Sequence, residues 1–65
     1  MSADEALTKA EELLGRLETA RARLESTEDP DQAVEVLQEL AGLAREIEAE
    51  LQRARRASEA DAADA

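Results

Sequence analysis

The chain has 65 residues, 17 of them acidic and 8 basic, and carries a formal charge of −9 with no cysteine, histidine or aromatic residue. Those absences exclude a disulfide framework, thiolate or imidazole metal ligation and histidine-dependent catalysis. The negative charge opposes direct binding of nucleic acid by the free chain.

The length allows one domain at most. Of the apolar residues, 15 are alanine, and only nine Leu, two Val and Ile47 carry branched side chains. Alanine favours helix but fills little core. So thin a core in so short a chain predicts that a protein partner, or self-association, supplies further apolar surface. No run of about twenty apolar residues is present to span a membrane. The acidic, mixed start "MSADEALTKA" lacks the regions of a signal peptide, so the expected location is cytoplasmic.

The first predicted element is a helix over about residues 3–26. Ser2 and Glu5 form an S-x-x-E capping box at its start. Leu7, Ala10, Leu14, Leu17 and Leu24 then recur at heptad spacing, with Arg21 in the gap. Arg21 is read as a side chain laid over Leu17 and Leu24, or as a register-setting charge. Glu5–Lys9 and Glu12–Arg16 are spaced as i,i+4 ion pairs.

The rhythm breaks at "STEDPDQ", giving a turn at about 27–29. Asp29 suits an N-cap, Pro30 a first helical position and Gln32 the far corner of a second capping box. A second helix over about 30–56 follows, with Ala33, Leu37, Leu40, Ala44, Ile47, Leu51 and Ala54 as its stripe. Arg53, Arg55 and Arg56 then complement the dipole in its last turn. Residues 57–65, "ASEADAADA", hold no branched apolar residue and read as a disordered acidic tail.

Two helices of similar length joined by a short turn predict an all-α fold, an antiparallel two-helix hairpin of coiled-coil type completed by oligomerisation or a partner. The expected hairpin seam is Leu7, Leu14, Leu17, Leu24, Leu37, Ala44 and Leu51. It sets Leu24 against Ala33, Leu17 against Leu40, Leu14 against Ala44, Ala10 against Ile47 and Leu7 against Leu51. Helix 2 then has apolar surface to spare. Val36, Leu40, Gly42, Leu43 and Ile47 form the expected partner interface, with Gly42 as either tolerated drift or a point of close approach.

No constellation points to chemistry. The doublets Asp4-Glu5 and Glu11-Glu12 have no nucleophile or base beside them. Ser2, Ser26 and Ser58 have nothing to activate them. No D-x-D-x-D-G calcium loop appears, and "RARR" at 53–56 is accounted for by the helix dipole. No catalytic residue, cofactor or metal site is expected.

Two segments do resemble a known family. "EALTKAEELLGRLE" (Glu5–Glu18) and "DQAVEVLQELAGLAREIEAELQRAR" (Asp31–Arg55) are similar to the two helices of the small subunit of exodeoxyribonuclease VII. The similarity runs through Ala33, Val34, Val36, Glu39, Leu43, Ala44, Ala49, Leu51 and Ala54, with Ile47 where the family often has cysteine. "TARARLE" after Glu18 delays the turn by one heptad, and the family's usual aromatics are missing. The resemblance implies a non-catalytic subunit, several copies of which bind a large chain that degrades single-stranded DNA and carries the hydrolysis and any metal. The alternative is an unrelated helical-hairpin adaptor or self-associating coiled coil, natural or designed, with no enzymatic role.

Overall fold

A computed structural model describes the backbone of residues 2–64 and the side chains of residues 2–60. It is an all-α hairpin of two helices, α1 (Ala3–Ser26) and α2 (Pro30–Asp64). Both helix starts follow the expected caps. Ser2 Oγ accepts from the Glu5 amide at 3.2 Å, satisfying one of the amides that a helix start leaves unpaired. At the turn, Asp29 Oδ1 accepts from the Asp31 amide at 3.0 Å, and the Asp29 carbonyl takes the first α2 bond from Ala33, also at 3.0 Å. Gln32 has a different part from the one expected. Its Oε1 accepts from Thr27 Oγ1 at 3.2 Å, tying the end of α1 to the start of α2 across the turn.

The two helices pack against each other on stripes that only half match the expected ones: Ala10, Leu17, Leu24, Leu40, Ile47 and Ala54 face inward as expected, and the alternate positions do not. The inward residues of α1 are Ala6, Ala10, Leu13 and Ala20, with Leu17 and Leu24 partly covered. Those of α2 are Val36, Leu43, Glu50 and Ala54, with Leu40 and Ile47 partly covered. Both rows step by 3 and 4, the spacing of a left-handed pair. The expected seam is corrected accordingly. Leu17 and Leu24 do pack in the core, whereas Leu7, Leu14, Leu37, Ala44 and Leu51 are exposed. The reason is a one-residue ambiguity. Leu13-Leu14, Val36-Leu37 and Leu43-Ala44 are adjacent apolar pairs, so two neighbouring heptad stripes score alike. The helices bury the earlier member of each pair.

Counting outward from the turn sets Leu24 level with Val36, Ala20 with Leu40, Leu17 with Leu43 and Leu13 with Ile47. These residues form one apolar cluster. Further out the inner rows shrink to Ala10, Ala6 and Ala54, with Glu50 among them. The core therefore sits in the half nearer the turn.

Three further expectations are corrected. The backbone of α2 stays helical to Asp64, where a disordered tail was expected from residue 57; Ala65 lies outside the described residues. Alanine and glutamate are strong helix formers, and no Gly or Pro interrupts them, so loss of branched residues does not end the helix. Ala57 is half-buried, one step further along the inner row of α2. Consequently Arg53, Arg55 and Arg56 lie inside the helix rather than in its last turn. Arg53 pairs with Glu50, and Arg55 with Glu59 at 3.1 Å. Among the described residues, neither Glu5–Lys9 nor Glu12–Arg16 comes within ion-pair distance.

Candidate functional site: an apolar flank of the hairpin

The two sides of the hairpin differ in chemistry. On one side lie the residues that immediately precede the inner row: Lys9, Arg16 and Arg23 on α1, and Gln32, Glu39, Glu46 and Arg53 on α2. The Arg23 guanidinium donates to Glu39 across the helices at 3.1 Å, which places these two rows on the same side. An open groove on that side runs between the helices, walled by Lys9, Glu12, Arg16, Glu46, Glu50 and Arg53 over Leu13 and Ala49.

The residues that immediately follow the inner row must then share the other side. They are Leu7, Leu14 and Arg21 on α1, and Leu37, Ala44 and Leu51 on α2. All are exposed, Leu14 at 50% and Leu37 at 52%. Val34, at 53%, and Ala41 extend the patch on the outer edge of α2. A contiguous apolar strip crossing both helices is unlike the scattered single leucines of an ordinary surface.

The borders of this flank are unequal. Along α1 the outer edge is Asp4, Glu11, Glu18 and Glu25, all acidic. Along α2 it is Val34, Ala41, Glu48 and Arg55. Arg21, within the strip, is held by Glu18 at 3.2 Å and Glu25 at 2.5 Å. The hydrogen bond it donates to Glu18, then the charges of Glu25 and Glu18, raise its pKa above an already high ordinary value. It stays a cation throughout the working pH range. Its head is turned along its own helix, to acids of α1, and makes no ion pair with α2 among the described residues.

The sequence-predicted interface lies elsewhere. Val36 and Leu43 are buried at 5% and 3%, and Leu40 and Ile47 pack against them in the hairpin core. They are not available to a partner. Gly42 is half-buried on the charged side, and nothing lies within 4 Å of where a Cβ would stand. It permits no close approach within the chain.

Glu50 was missed. Its side chain is 6% exposed and sits in the inner row. One carboxylate oxygen accepts from Arg53, and the other, Oε2, has no hydrogen-bond partner. The 3-4 steps from Val36 through Leu43 lead straight to residue 50, but that signal can be read only once the inner stripe is known.

No group of three or more acidic residues is placed to hold a metal ion, and no helix is long and apolar enough to cross a membrane, among the described residues. Comparisons with family models, curated proteins and solved structures find no match for this chain.

Proposed function

We propose that this chain is a non-catalytic interaction subunit, a hairpin scaffold that presents the flank of Leu7, Leu14, Leu37 and Leu51 to a protein partner. The observation that supports it is the exposure of these leucines on one side while the other side is charged. Leaving so much apolar surface in water is unfavourable by roughly 25 cal/mol per Å², and docking removes that cost. The resemblance to the exodeoxyribonuclease VII small subunit supports a large catalytic subunit as a partner of the assembly that this flank builds. The hydrolysis of single-stranded DNA would then belong wholly to the large chain. A cytoplasmic location goes with this reading.

The test uses the purified large subunit of an exodeoxyribonuclease VII from the same genome. The unmodified chain binds it. Leu37→Glu keeps its helical circular dichroism, because residue 37 is exposed in the hairpin, but loses binding, because an unpaired carboxylate is costly to desolvate. Leu43→Glu loses helix and binding together. The free chain, at −9, does not retain single-stranded DNA at physiological salt. Unchanged binding by Leu37→Glu removes the flank as the docking face. No binding by the unmodified chain removes this partner.

A further inference from the structure

We infer that the occupant of the apolar flank is a second copy of this chain, and that two hairpins close into an antiparallel four-helix bundle. This rests on the reading of the flank as a docking face and names what covers it; the bundle, rather than one hairpin, is then what any further partner meets.

Three observations point to a second copy. The hairpin alone is poorly covered, because its apolar cluster reaches only from Leu13 to Leu24 and from Val36 to Ile47. A second hairpin turns the flank into another buried layer, as in bundles built from paired hairpins. The size also fits. The paired stretch, α1 (Ala3–Ser26) beside the first part of α2, is about 36 Å long and, with side chains, about 20 Å across, so one whole flank offers roughly 700 Å², close to the ~800 Å² that each side of a stable interface buries. Finally, the flank complements itself. By the same count from the turn Leu14 falls about two residues (~3 Å) from the level of Ala44, and Leu7 about two from that of Leu51, so α1 of one copy can set its leucines against α2 of the other, matching large with small at the middle of the strip.

The borders choose this stacking over α1 on α1. Like helices stacked together would bring two wholly acidic edges into register. With α1 on α2, that acidic edge meets the mixed edge of α2: Asp4 comes level with Arg55, Glu18 with Ala41 and Glu25 with Val34, and Glu11 with Glu48 is the one like-charge pair. Like-charge rows are unfavourable and opposite charges set orientation. The two turns then lie at the same end of the bundle.

Sedimentation equilibrium on the full chain tests the inference, with circular dichroism alongside. The unmodified chain is a dimer at about 100 µM, and Leu37→Glu or Leu51→Glu weakens the dimer by at least about a hundredfold while helix is kept. A monomer at every concentration overturns the second copy. In that case binding of a purified partner through Leu37 would still stand, so the two readings fail separately. A dimer that both variants leave intact overturns the flank as its seat. The chain has no cysteine of its own, so single introduced thiols report the stacking. Mixed Leu14→Cys and Ala44→Cys chains form a mixed disulfide on oxidation, whereas Ala44→Cys alone does not, since a disulfide needs Cα atoms within about 7 Å. A linked Ala44→Cys homodimer overturns α1-on-α2 stacking.

Discussion

Glu50 is the residue whose environment departs most from its chemistry. A carboxylate in the inner row of a hairpin loses water, and Arg53 compensates only one of its two oxygens. Arg53 itself remains about half in solvent, so removing Glu50 strands no buried cation. Glu50→Leu should therefore raise stability, by about 1–2 kcal/mol, in urea unfolding followed by circular dichroism. A loss instead would show that the carboxylate makes a stabilising contact. Gly42 offers a cleaner gain. It sits mid-helix with open space where a Cβ would go, so Gly42→Ala should add about 1 kcal/mol from helix propensity alone. A destabilised Gly42→Ala would reveal another chain against that position. At the turn, Asp29 caps α2 through the Asp31 amide, and Asp29→Ala should lose about 1 kcal/mol in the same assay.

At the scale of the helices, stability is graded along the hairpin. Residues 13–24 and 36–47 carry the branched core, while the outer inner-row residues are chiefly alanines. Burying an alanine removes far less apolar area than burying a leucine. Hydrogen exchange should then find amides around Ala20 and Leu43 the slowest, and those beyond Ala57 among the fastest. Uniform protection from Ala6 to Ala60 would contradict a core confined to the turn half. The end of α2 is a helix by propensity more than by packing. Counting outward from the turn, residues 58–64 run past the start of α1, so deleting them should change stability by less than about 0.5 kcal/mol.

For the whole molecule, charge is the term that opposes assembly. Two copies at −9 each repel, and salt shortens the Debye length from ~30 Å at 0.01 M to ~8 Å at 0.15 M. Dimerisation through an apolar flank should therefore tighten as salt is added, since the contact itself is not ionic and the repulsion is screened. Sedimentation equilibrium at the two salt concentrations checks this. Weakening with salt would mean that ion pairs such as Asp4 with Arg55, rather than the leucines, hold the copies together.

The two helix starts, their N-caps and the turn were legible from residues alone, because Ser2, Asp29 and Pro30 act within a few positions of themselves. Local hydrogen bonding leaves one reading for such signals. Which stripe faces inward was not local. Leu13 and Leu14, or Val36 and Leu37, are equally apolar neighbours. A rotation of each helix by about half of the 100° between successive residues keeps Leu17, Leu24, Leu40 and Ile47 inside and exchanges Leu14 for Leu13 and Leu37 for Val36. The choice depends on both helices at once. The inner rows bring Leu17 level with Leu43 and Leu24 level with Val36, and they put Arg23 beside Glu39. Only that joint arrangement turned Val36 and Leu43 from an expected docking face into core. The same rotation moved Leu7, Leu14, Leu37 and Leu51 from expected core to the exposed flank. Composition predicted a core too thin for one short chain, and the tertiary structure decided which apolar residues are left exposed beside it.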